Sequence, residues 1–127
     1  MRIFVVRHCE AAPGEVDELR PLTESGRAAA RALAARFSQL EPAAVFSSPL
    51  LRARETAGTI AAASGLVAET DERLAPGMTA EDLRAVVTGR GDPVVIVAHN
   101  PDCADLVERL AGYRPIFPPG TVVEVVL

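Results

Sequence analysis

Three short, mostly apolar runs punctuate the chain, Ile3 to Val6, Ala43 to Ser47 and Val94 to Ala98. Each is too short for an ordinary helix, and the last is continuously apolar, as a central strand of a parallel sheet is when both its faces are covered. Helical spacing fills the intervals. Thr23 predicts an N-cap for a helix from about Glu24 to Leu40, with Leu33, Phe37 and Leu40 inward and Arg27, Arg31 and Arg36 mostly outward; Pro42 lies beyond its end. Ser48 and Pro49 read as N-cap and first helical residue of a second helix, whose stripe continues through Ala57, Ile60 and Ala61 to the break at Ser64-Gly65. Thr79 to Asp82 resembles a capping box that opens a helix through Val87. Asn100 and Pro101 repeat the cap-plus-proline opening before Cys103, Leu106, Val107 and Leu110, and Gly112 closes that helix. Loops are expected over 11–21, 70–78 and 113–120, a brief strand over Leu66 to Glu69, and a mostly buried strand over Thr121 to Leu127.

Strand and helix thus alternate from end to end, which predicts an α/β fold: a three-layer α/β/α sandwich around a mostly parallel sheet. At 127 residues the natural count is one domain, 1–127, large enough to bury a core without metal or disulfide staples. The two cysteines, Cys9 and Cys103, make no disulfide framework. No charged start precedes a long apolar run and no stretch reaches membrane-spanning length, so a cytoplasmic location and no membrane partner are expected. A net charge of −4 argues against a general nucleic-acid binder. The basic residues are all arginine, and without lysine neither a lysine-bearing phosphate loop nor Schiff-base chemistry is available.

The polar residues that end the apolar runs carry the candidate chemistry. Arg7 and His8 follow the first strand, Arg52 lies in the first turn of the helix after the second, and His99 follows the strand at 94–98. In an open parallel sheet the carboxyl ends of the strands share one edge, where ligands bind. Two guanidinium forks beside two imidazoles suit a phosphoryl dianion and a nucleophile that is neutral near pH 7.

Arg7-His8-Cys9-Glu10, Leu22-Thr-Glu-Ser-Gly26, Ser48-Pro-Leu-Leu-Arg-Ala-Arg-Glu-Thr56 and Ala98-His-Asn100 occur in this order over most of the chain. Together they resemble the histidine phosphatase superfamily, also called phosphoglycerate-mutase-like. The short length and the form Arg20-Pro-Leu-Thr-Glu-Ser-Gly26 look most like the SixA-type phosphohistidine phosphatases. The resemblance implies that His8 is the nucleophile and becomes transiently phosphorylated. Arg7 and Arg52 then bind the phosphoryl oxygens, His99 donates to them, and no cofactor or metal is needed. Arg54 reads as a surface charge.

Two departures from the family pattern stand out. Cys9 replaces the glycine usual after the nucleophile, either as a small packing residue or as a side chain that narrows the pocket. The segment Arg73-Leu-Ala-Pro76 lacks the glutamate that serves many relatives as general acid, and Glu10, Asp17, Glu81 and Asp82 are the substitute candidates. Without an acid an alkoxide leaves poorly, whereas phosphoimidazole protonated on its other nitrogen leaves as neutral imidazole. A phosphorylated protein, such as a histidine-phosphotransfer domain, is therefore the expected partner. A general small-molecule phosphomonoesterase and a non-catalytic phosphate- or phosphoprotein-binding module stay open. The chain has no room for the insertions that close over a sugar phosphate in the mutases. A cysteine phosphatase centred on Cys9 would need an arginine where Glu15 stands, and the cysteines and histidines lack the close pairing of zinc ligands.

Overall fold

The computed structural model describes residues 1–127. Strands β1 (Arg2–Arg7), β2 (Ala44–Ser47), β3 (Glu69–Thr70), β4 (Val94–Ala98) and β5 (Val122–Val126) form one sheet in the order β3-β2-β4-β1-β5. β1, β2, β3 and β4 run parallel to one another, while β5 is antiparallel to β1. Helices α1 (Glu24–Leu40) and α2 (Leu51–Ala63) cover one face, α3 (Ala80–Val87) and α4 (Asp102–Ala111) the other. This is the expected three-layer sandwich. All five residues of β4 are buried because both helical layers press on it. Alternate residues serve opposite faces: Ile3 and Val5 pack with α3 and α4, Phe4 and Val6 with α1 and α2. No helix is long and apolar enough to cross a membrane.

Several boundaries depart from the sequence-based expectation. β5 is an edge strand with only Val125 fully buried, since β1 covers one side of it and solvent the other. The short strand β3 lies at 69–70 rather than 66–69, and short 3-10 turns occupy Asp17–Leu19 and Glu72–Leu74 within the expected loops. Helix α2 begins at Leu51 with Leu50 as its cap, so Ser48 is not the N-cap and Pro49 not its first residue; Arg52 remains in the first turn. Likewise α4 begins at Asp102, with Pro101 just outside. The Thr23 cap and the Thr79–Asp82 capping box form as expected.

Gly26, in the first turn of α1, sits where the chain after β1 crosses closest. A Cβ there would lie 2.2 Å from the Glu10 carbonyl oxygen, which accepts the Thr23 N–H at 3.0 Å. Only glycine permits this approach, and through it α1 supports the segment that follows His8.

Candidate active site

The strand ends converge as the topology requires. The His8 N–H donates to the Ala98 carbonyl, fastening the residue after β1 to the end of β4, immediately before His99. The His8 and His99 rings stand 5.3 Å apart between centroids, tilted by 53°, and both are almost wholly buried. Arg52 is buried as well and enters from α2. Its guanidinium donates to the Asp17 carbonyl oxygen at 2.8 Å and to Asp17 Oδ2 at 3.2 Å. Arg7 donates to the Phe117 carbonyl oxygen at 2.9 Å, while its buried Nε has no partner. Arg7, His8, Arg52 and His99 are thus brought together. Arg54 faces solvent, as expected.

His8 Nδ1 lies 2.8 Å from the Cys9 carbonyl oxygen, which can only accept, so Nδ1 carries the proton and Nε2 keeps its lone pair. Burial holds the His8 pKa far below the ordinary 6.5, at about 4, and the positive charges of Arg52, Arg7 and Arg20 act in the same direction against the Cys9 carbonyl. His99 is likewise lowered to about 4, by burial first and then by His8, Arg52 and Arg7; Asp17 opposes. At neutral pH the cleft therefore holds two uncharged imidazoles between guanidinium groups. Such an arrangement can bind an oxyanion and offer an in-line nitrogen nucleophile.

Of the four candidate acids, only Asp17 touches a site residue. Hydrogen bonds from Arg20 and Arg52 keep its carboxyl below the usual range, hence ionised. Glu10 accepts the hydroxyls of Thr23 and Ser25, Asp82 caps its own helix, and Glu81 pairs with Arg109 on α4. In the segment that matches the relatives' acid, Leu74 is buried and Ala75 and Pro76 offer no proton. Cys9 lies wholly in the core among residues of the α1/α2 layer, so it packs rather than narrows the pocket, and burial raises its thiol pKa.

Four contributors escaped the sequence reading. Ser48 contacts His99. Thr56 accepts the Cys9 N–H and donates to the Arg52 carbonyl, tying the segment around His8 to α2. Arg20 steadies Asp17, and Phe117 lends only its carbonyl to Arg7. Ser48, Thr56 and Arg20 lie within the quoted motifs, so a signal was present; nothing in a phenylalanine marks its backbone oxygen.

The family model of the histidine phosphatase superfamily, branch 1, matches residues 3–76. The chain belongs to this superfamily and is a phosphatase-type hydrolase within it. Among solved structures, the protein histidine phosphatase SixA complexed with tungstate superposes with a TM-score of 0.87 at 29% identity, covering 100% of this chain and 88% of its own. A SixA-type structure from Agrobacterium tumefaciens gives 0.79 at 25% identity, over 97% and 89% of the two chains. A mycobacterial glucosyl-3-phosphoglycerate phosphatase shares the fold, with a TM-score of 0.77 at 23% identity over 97% and 88%. No curated protein sequence matches the chain.

Proposed function

We propose that the chain, as a single catalytic unit over 1–127, is a phosphohistidine phosphatase that acts on a phosphorylated protein. His8 Nε2 attacks the phosphorus in line, while Arg7, Arg52 and His99 bind the phosphoryl oxygens. The substrate imidazole, protonated on its other nitrogen, departs neutral. Water then attacks the phosphorus of phospho-His8 and its oxygen passes to inorganic phosphate. His8 leaves as neutral imidazole because its proton stays on Nδ1, donated in a hydrogen bond to the Cys9 carbonyl oxygen, while both protons of the water go to the phosphate. Neither step asks for an acid or a metal. Charge on the transferring group is carried by guanidinium groups already in place.

The observation that carries this reading is the missing acid. The one carboxyl at the cleft, Asp17, is held ionised between Arg20 and Arg52, which suits an imidazole leaving group and disfavours an alkoxide. Similarity to SixA supports the same substrate class. The test compares wild type and His8→Ala, with EDTA present, on a phosphorylated histidine-phosphotransfer domain, para-nitrophenyl phosphate and an alkyl phosphate. Release from phosphohistidine, little from the alkyl ester, and loss in the variant are expected. Efficient alkyl ester hydrolysis would make the protein a general phosphomonoesterase. Binding of phosphate without turnover of any substrate would make it a binding module.

A further inference from the structure

Ser48 is fully buried yet is not the helix cap that its place before Pro49 suggests. Its Oγ has two neighbours, His99 Nε2 at 2.7 Å and the Leu50 N–H at 3.3 Å. The backbone N–H can only donate, so it takes one lone pair of the hydroxyl. If His99 Nε2 also donated, the Ser48 proton would be left in the interior with no acceptor, at a cost of about 1–3 kcal/mol. With the lone pair on Nε2 every group is satisfied: Leu50 donates to Ser48, and Ser48 donates to His99. The imidazole proton then resides on Nδ1, which is buried and has no protein partner. A buried donor of that kind in a cleft beside His8 awaits a ligand acceptor.

We propose that Ser48 is a positioning residue that fixes His99 as the Nδ1–H tautomer, so that the neutral ring directs its one proton to a phosphoryl oxygen of the substrate. The inference rests on the role given to His99 in the proposed function. In the opposite tautomer the proton would point at Ser48 and the ring would offer the phosphoryl group a lone pair, which repels it. His99 remains uncharged at neutral pH, so it orients and stabilises the phosphoryl group without protonating the leaving group.

The chain has two histidines, so its imidazole nitrogens can be resolved by long-range 1H–15N NMR of the labelled full chain, with His8→Ala used for assignment. In the wild type, His99 Nδ1 is expected to show the protonated signature and Nε2 the unprotonated one. In Ser48→Ala the signature should move toward the Nε2–H form. Turnover of para-nitrophenyl phosphate should fall in kcat by about 10-fold or more, short of the roughly 100- to 1000-fold of an oxyanion donor removed outright, with KM little changed. A wild-type His99 protonated on Nε2 overturns the proposal without any variant, as does a Ser48→Ala protein with unchanged tautomer and kcat. Phosphate release that survives in His8→Ala would instead overturn the proposed function, whatever the tautomer.

Discussion

Because both histidines of the chain lie in the cleft, an imidazole titration of the whole protein reads the site alone. Lowering the pH is the perturbation. At about pH 5.5 an ordinary imidazole of pKa 6.5 is roughly one-tenth neutral, whereas one with a pKa of about 4 is almost fully neutral, so His8 should keep close to ten times more nucleophile. The same shift links to stability. The folded pKa lies below the unfolded one, so falling pH protonates the unfolded chain first. The contribution is complete above 6.5 and is lost between 6.5 and about 4, at most roughly 3 kcal/mol for one histidine. The assay is a 1H–13C NMR titration of wild type and His8→Ala, with thermal melts and kcat/KM for para-nitrophenyl phosphate at the same pH values. No imidazole titration above about pH 5 is expected. Arg52→Ala should raise the His8 midpoint but not restore it to 6.5, because burial, the larger cause, persists. A wild-type His8 midpoint near 6.5 would refute the argument that burial and arginines hold the nucleophile neutral.

Further outcomes follow from single contacts. Gly26→Ala places a methyl 2.2 Å from the Glu10 carbonyl and should lower stability by about 1–3 kcal/mol in a denaturant melt, whereas Gly58→Ala, with open space around it, should be neutral or stabilising. Asp17→Asn should weaken inorganic phosphate competition by loosening Arg52 but leave kcat on phosphohistidine within a few-fold; a hundredfold loss confined to alkyl esters would mark Asp17 as an acid after all. Cys9→Gly should cost about 1–3 kcal/mol by opening a void in the core while turnover persists, and neither thiol should react with a disulfide reagent in the folded protein, Cys103 being pushed up to about 12.

Much of the architecture was legible because β1 and β4 are continuous apolar runs that can only be buried on both faces, and because each ends on the residue that enters the cleft. His8, Arg52 and His99 could be placed at one sheet edge without any coordinates, since parallel topology alone brings strand ends together. The start of α2 differs from the one its composition suggests. A serine or asparagine before proline has the composition of a helix opening, but Ser48 is diverted by His99 and the ladder begins two residues later. The exposure of β5 was not legible either. Valines in a strand look alike at an edge and in a centre, and only the sheet order separates them. The tie between Arg7 and Phe117 uses a backbone atom, which no side-chain pattern can announce.

The two carbonyl oxygens that hold Arg7 and Arg52 have a consequence for the end of the catalytic cycle. An arginine side chain free in solvent gives up about 2 kcal/mol of rotamer entropy when it is fixed, and here that loss occurs on folding rather than on binding. In the proposed function each guanidinium meets the phosphoryl group already oriented, with N–H donors to spare beyond the one or two committed to the chain. Such rigidity does not distinguish a phosphoryl group in transit from one that has been released. A cleft built this way is complementary to free orthophosphate too, so inhibition by product is the natural counterpart of its readiness.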